Sequence, residues 1–228
     1  MTAPAVSAAL REAAALLLPV ACAACGRPGE ALCGGCRLAL RPDLRRRRLD
    51  DGVEVVSALT FEGPVAAALR AYKQRGRTDL ARAFAPAMRA VLVECALAHG
   101  LLLDAVPIPP SAAGSRRRGY RPIELLLHHA GVAPLGALRW QRATDDQRAL
   151  GVADRDRNLR GALTVRGDPA GRAVIVVDDV VTTGATLREA RRALTAAGAQ
   201  VVGAVTLAAT PRVLPARTSP PESPGDSS

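Results

Sequence analysis

Apolar residues recur at helical spacing from Ala5 to Leu18, which predicts a short helix at the start of the chain. From residue 54 onward strands and helices take turns. Glu54 to Phe61 alternates as a strand does, and Gly63-Pro64 opens a helix over Val65–Gln74. Pro64 falls in the first turn, where its missing N–H costs nothing. Arg75-Gly76-Arg77 closes that helix, and Thr78-Asp79 is read as the cap of the next, which runs to about His99. The continuous apolar run Leu101–Ile108, stopped by Pro109-Pro110, reads as a buried parallel strand. Ser111–Tyr120 reads as a basic loop, Ile123–Ala130 as a helix and Ala137–Trp140 as a strand. Arg142–Arg160 is a long polar excursion. Ala162–Val165 and Arg172–Val177 follow as strands, Ala185–Ala197 as a helix ended by Gly198, and Gln200–Ala208 as the last strand. This succession predicts an α/β fold: a mostly parallel sheet with helices on both faces.

The expected organisation has three parts. Residues 1–50 hold the first helix, a cysteine-rich module and a charged linker at Arg45–Arg48, and Asp50-Asp51-Gly52 reads as a turn at the boundary. Residues 51–210 form the sheet domain, and residues 211–228, rich in Pro and Ser, form a disordered tail. No stretch approaches the roughly 20 apolar residues of a membrane span, so no membrane insertion is expected. The apolar run before Cys22 is broken by Pro19 and preceded by Arg11-Glu12, a poor match to an export signal. A cytoplasmic location is expected.

Composition adds chemistry to this frame. Hydrophobic residues make up 49% of the chain but aromatics only 2%, so the core is built from Ala, Val and Leu. The net charge of +10 favours anionic partners such as phosphates, nucleotides or nucleic acid, without choosing among them. Arginine richness beside abundant alanine also fits coding bias. Against it, Lys73 is the one lysine in a chain that otherwise uses arginine 30 times. A compact ammonium suits contact with a phosphate, although chance retention explains Lys73 equally well.

Cys22, Cys25, Cys33 and Cys36 form two C-x-x-C pairs separated by a short spacer. That spacing predicts one structural Zn²⁺ held by four thiolates in a reducing compartment, with a redox role as the alternative. Cys95 shares a helical stretch with Val91 and Leu92 and reads as a buried small hydrophobe.

The most informative segment is AVIVVDDVVTTGAT at 173–186, in which a buried strand ends in Asp178 and Asp179 and a Thr/Gly loop opens a helix. Ligands of open α/β sheets sit beyond the carboxyl ends of strands, where these acids fall. Two carboxylates there suit ribose hydroxyls or a cation. The run Val180, Val181, Thr182, Thr183, Gly184, Ala185 and Thr186 offers backbone N–H groups, hydroxyls and a helix start, which together bind anions. Gly184 lets the backbone approach a phosphate closely. The plainer alternative is a capped βα turn. No G-K-[ST] or G-x-G-x-x-G is present, so neither a Walker loop nor a dinucleotide fingerprint applies.

The 173–186 segment resembles the phosphoribosyl-pyrophosphate motif of type I phosphoribosyltransferases. FEGPV at 61–65, YKQRGRTDLA at 72–81, DAVPIP at 104–109, RRRGY at 116–120, LRWQRATDDQ at 138–147 and RNLRGA at 157–162 precede it in order. With the four cysteines, this succession resembles the ComF family of competence-associated, phosphoribosyltransferase-like proteins, over residues 22 to about 209. The resemblance implies a type I phosphoribosyltransferase fold, binding of 5-phosphoribosyl-1-pyrophosphate with Mg²⁺, a four-cysteine zinc finger, and a link to DNA uptake in natural transformation. It casts Asp178 and Asp179 as catalytic residues, the 178–186 run with Lys73 and Arg118 as phosphoribosyl-pyrophosphate contacts, and Arg142–Arg160 as a closing loop. Where the family reads R-G-F-N-Q, this chain has Arg118-Gly119-Tyr120-Arg121-Pro122. The loop Pro110–Gly114 is also less basic than the family pattern.

A different class of function remains open: binding of single-stranded DNA, alone or with other competence proteins, or sensing of a sugar phosphate without turnover. Arg45–Arg48 and Arg116–Arg118 are basic clusters that also read as solvated faces. Single-strand binding needs stacking platforms, for which Tyr120 and Trp140 are the candidates. His99, His128 and His129 lack metal-ligand spacing.

Overall fold

The computed structural model describes residues 20–141 and 159–211. The expected helix over Ala5–Leu18, the excursion at 142–158 and the tail beyond 211 lie outside the described residues. The elements are α1 (Gly34–Leu38), β1 (Arg45–Arg48), β2 (Glu54–Thr60), α2 (Gly63–Gln74), α3 (Leu80–His99), β3 (Asp104–Pro107), α4 (Ala112–Arg118), α5 (Pro122–His129), β4 (Leu138–Trp140), β5 (Leu163–Val165), β6 (Ala173–Val181), α6 (Ala185–Ala196) and β7 (Gln200–Ala209).

Five strands form one sheet in the order β1-β2-β7-β6-β3, and β4 pairs with β5 in a separate antiparallel ribbon. The pairs β2/β7, β7/β6 and β6/β3 are parallel, and only the edge strand β1 runs antiparallel to its neighbour. Side-chain alternation along the strands sends residues to two cores. Val56, Ile175, Val177 and Val205 pack with α2, α3 and α5 on one face. Val55, Val106, Val174 and Val176 pack with α6 and the β4–β5 ribbon on the other. The mostly parallel sheet with helices on both faces is therefore observed, with β7 at its centre and β6 between β7 and β3.

Four local expectations are corrected. Arg45–Arg48 is an edge strand rather than a linker. Its charge is matched from neighbouring elements: Arg46 pairs with Glu54 of β2 at 2.9 Å and with Glu94 of α3. Charged edge strands also discourage pairing with other chains. The strand expected over Leu101–Ile108 is confined to Asp104–Pro107, because pairing with β6 begins at Asp104 opposite Val174. Leu102 is 99% exposed. The basic loop at 111–120 contains the short helix α4, started by the Ser111 hydroxyl accepting from the Gly114 N–H at 3.1 Å and ended by Gly119 at φ 67°. Asp79 caps no backbone N–H, since Arg77 holds its carboxylate at 2.8 and 2.9 Å.

Candidate functional site

A cleft of about 250 Å³ opens at the carboxyl end of β6. Asp178, Asp179, Lys73, Arg118 and Thr186 all line it. Two adjacent strand residues can face one cleft because the pleat shifts across them. Val177 and Val180 pack on one core and Val181 on the other, so the strand turns between them. Lys73 lies in the last turn of α2 and its Nζ meets Asp179 Oδ2 at 2.7 Å. The lysine singled out by composition and the acid singled out by motif thus form one ion pair.

Asp178 lacks such a partner of its own. Its Oδ1 accepts from the Asp179 N–H at 2.8 Å. Burial, followed by the neighbouring Asp179 charge, pushes its carboxyl up to about 7, against a smaller opposing pull from Lys73. Negative charge at this wall is therefore under-compensated, which suits hydroxyl donors or a hard cation. Tyr72, fully buried beside Lys73, is pushed above the ordinary phenol range by burial and by Tyr120 and Asp179, so it stays a neutral donor. It donates to the Pro122 carbonyl at 2.6 Å, while the Tyr120 hydroxyl donates to the Tyr72 carbonyl. Arg118 Nη1 reaches the Lys73 carbonyl at 3.4 Å. Its guanidinium lies where a side chain on Gly114 would be, so Gly114 is needed for that approach.

The loop after β6 is shaped by Gly184 at φ 80°. A Cβ there would also fall 2.6 Å from Leu49 Cδ1, so close packing against Leu49 excludes any larger residue. Val181 and Ala185 are buried and Val180 packs on the core, leaving only their backbone for a ligand. Thr182 is exposed, and the Thr183 hydroxyl accepts from the Ala185 N–H at 3.4 Å.

The far wall of the cleft was only partly legible in the sequence. Trp140 lines it, with its indole N–H donated to the Pro109 carbonyl at 2.8 Å. Arg121 and Glu124 line it as an ion pair at 2.6 Å. In the sequence Arg121 stands out only as a departure from a family pattern, and Glu124 carries no signal. Tyr120 is engaged with Tyr72 rather than presented as a stacking platform, their rings tilted with centroids 5.9 Å apart.

A second centre lies at the amino-terminal side. The Sγ atoms of Cys22, Cys25, Cys33 and Cys36 all fall within 4.8 Å of one another, and none is in a disulfide. A tetrahedral site with Zn–S near 2.3 Å spaces its sulfurs by about 3.8 Å, so this cluster fits zinc with little adjustment. Burial works against a charged Cys22, but backbone N–H groups of Cys25, Cys33 and Ala24 outweigh it and hold the thiol down at about 6. Burial and the surrounding sulfurs push Cys36 up to about 12. One thiolate is ready for a metal, and another gives up its proton only to one. The module docks on the end of α2. Arg75 donates to the Ala23 carbonyl at 2.9 Å, and Arg77 to those of Ala21 and Ala31 at 3.3 and 3.1 Å. Cys95 is buried and set apart from the cluster, as expected. No described helix is long and apolar enough to cross a membrane.

Residues 125–221 match the phosphoribosyl transferase domain family. The DNA utilization protein YhgH of Salmonella typhimurium is 29% identical over 191 residues, covering 79% of this chain and 80% of that protein. YhgH of Escherichia coli K12 is 28% identical over 198 residues with the same coverage. A crystal structure of Mycobacterium tuberculosis orotate phosphoribosyltransferase aligns with 76% of this chain and 81% of its own, at 18% identity and a TM-score of 0.37.

Proposed function

The chain belongs to the ComF-like proteins, in which a phosphoribosyltransferase-type domain follows a four-cysteine module, and from that premise we propose that it binds 5-phosphoribosyl-1-pyrophosphate with Mg²⁺ in the cleft at the end of β6. The observation that carries the reading is the Lys73–Asp179 pair beside Asp178. An ammonium and two acids meet there, next to a glycine-turned loop that opens a helix. In this reading Asp178 and Asp179 face the ribose hydroxyls and serve as the catalytic acids. The 182–186 loop takes the 5-phosphate, and Lys73 and Arg118 reach the pyrophosphate. Mg²⁺, when bound, spreads the charge of the pyrophosphate oxygens. The matching reaction displaces pyrophosphate from C1 by a nitrogen nucleophile, the new C–N bond forming as the C–O bond breaks. The protein's share is positioning and charge stabilisation.

Calorimetry with phosphoribosyl pyrophosphate and Mg²⁺ tests the reading. Replacing both Asp178 and Asp179 by Asn removes two charged hydrogen bonds, each worth about 1.5–3 kcal/mol, and lowers affinity at least about a hundredfold in a folded protein. Unchanged affinity reduces the motif to a capped turn.

The similarity to proteins described as DNA utilization proteins favours a second reading. Here the chain acts in the cytoplasm in the handling of incoming DNA, binding single strands or other competence proteins without turnover. The net charge of +10 supports it. A gel shift at low salt decides, and absence of any single-strand affinity there removes this reading.

A further inference from the structure

The segment that connects the cysteine module to the sheet also grips the loop after β6. Arg47 of β1 lies 135 positions from Thr182, yet its Nη2 donates to the Thr182 carbonyl at 2.8 Å. Two residues on, Leu49 is buried and sets its methyl groups against Gly184. Asp51, at the tip of the β1–β2 hairpin, accepts from Arg191 of α6 through both its carbonyl and Oδ2 at 3.1 Å. Arg188 of α6 donates through Nη1 to the next carbonyl of the loop, that of Thr183, at 3.0 Å.

Two consecutive loop carbonyls are therefore each engaged by a guanidinium. In a trans peptide the C=O of one residue and the N–H of the next point in opposite directions. Holding the Thr182 carbonyl to Arg47 turns the Thr183 N–H away from Arg47, and holding the Thr183 carbonyl to Arg188 turns the Gly184 N–H away from Arg188. Among the described residues neither amide finds a backbone acceptor. The left-handed φ of Gly184, seated on Leu49, fixes the bend between them.

We propose that Arg47 and Leu49 are positioning residues for the anion loop: they act from behind it, through the Thr182 carbonyl and the Gly184 backbone, to hold its amides ready for a phosphate. This rests on the reading of the 182–186 loop as the phosphate site. It places the edge strand between the cysteine module and the ligand, so the run of arginines that reads as a solvated linker carries a specific contact. Arg45 of the same strand instead pairs with Asp43 and is exposed, which makes it the control.

The test uses the full, zinc-loaded chain with Arg47→Ala, Arg47→Lys, Leu49→Ala and Arg45→Ala, read in two ways. Hydrogen exchange of a peptide covering 182–186 reports loop order without any ligand. Calorimetry with phosphoribosyl pyrophosphate and Mg²⁺ reports binding. R47A is expected to speed exchange in that peptide and to weaken binding about tenfold. R47K is expected to fall between R47A and wild type, and R45A to match wild type in both. Guanidinium ion at millimolar concentration is expected to restore part of the R47A affinity, whereas ammonium does not, a response that general destabilisation does not give. Wild-type loop exchange in both R47A and L49A overturns the proposal, whatever the binding result. Faster exchange with wild-type affinity also overturns it, because the loop is then supported to no purpose. If the wild-type chain binds no phosphoribosyl pyrophosphate at all, the functional reading fails, while the exchange data still decide whether Arg47 and Leu49 order the loop.

Discussion

Between Cys22 and Cys36 the chain forms one short helix and, beyond an isolated bridge from Ala21 to Pro28, no strand pairing. Ala173–Val181, by contrast, runs between two parallel partners with a core on each face. The cysteine module has little regular secondary structure, and its four sulfurs are spaced to hold a metal that would cross-link it. The β6–α6 turn owes its shape to packing on Leu49 and to the guanidinium contacts on its Thr182 and Thr183 carbonyls. A chemical change should ruin the first, and only a geometric change the second. Arg75 and Arg77 join the two, since they hold carbonyls of the module from the same helix end that carries Lys73.

The largest expected effect follows from removing the metal. Small zinc modules draw roughly 10–16 kcal/mol of apparent binding free energy from the ion. Stripping zinc with a chelator, or replacing Cys33 and Cys36 by Ser, is expected to unfold residues 22–36 while the sheet remains folded. Native mass spectrometry checks the stoichiometry of one zinc, and hydrogen exchange checks the localised loss. Protein purified without chelators and carrying no zinc breaks the comparison at its base.

An intermediate effect is expected from pH, and it isolates the β6 turn. The Asp178 carboxyl is held up to about 7 in the folded chain, against an ordinary value of 3.8. Between these values the folded state keeps a proton that the unfolded chain has lost. Stability therefore falls as pH rises from about 4 to about 7, by at most about 4 kcal/mol, and levels off above that window. Denaturation midpoints across the window measure the slope, and Asp178→Asn is expected to remove it. A slope of the opposite sign means that Asp178 is ionised and paired in the folded protein.

The smallest expected effect separates two basic residues of α4's last turn. Arg116 is exposed, whereas Arg118 is engaged with the Lys73 carbonyl over Gly114. If single strands bind this surface, Arg116→Ala should flatten the salt dependence by about 0.7 log units for one lost phosphate contact. Arg118→Ala should instead weaken sugar-phosphate binding. Salt titrations of both variants sharpen the contrast, and equal effects on both ligands erase it.

Legibility varied with the range of the interaction. The cysteine cluster could be read directly, because short spacers bring four thiols together whatever the rest of the chain does. The acids and loop at 178–186 were readable because strand, turn and helix start are adjacent in sequence. The β1 strand was misread, since four successive arginines look solvated until Glu54, Glu94 and the Thr182 carbonyl are brought beside them. Tyr120 looked like a stacking platform because nothing local reveals the Tyr72 carbonyl that engages its hydroxyl.

Sequence by itself determined the α/β alternation, the two cores of small aliphatic residues, the metal-ready thiols and the acid-loop motif. All of these depend on residues within a turn or a strand of each other. Only the tertiary structure decided which acid Lys73 meets, how Trp140 and the Arg121–Glu124 pair wall the cleft, and that Arg47 and Leu49 back the loop after β6. Those contacts join residues tens of positions or more apart in sequence, or depend on how separate elements pack, and side-chain patterning along the chain carries no record of such partners.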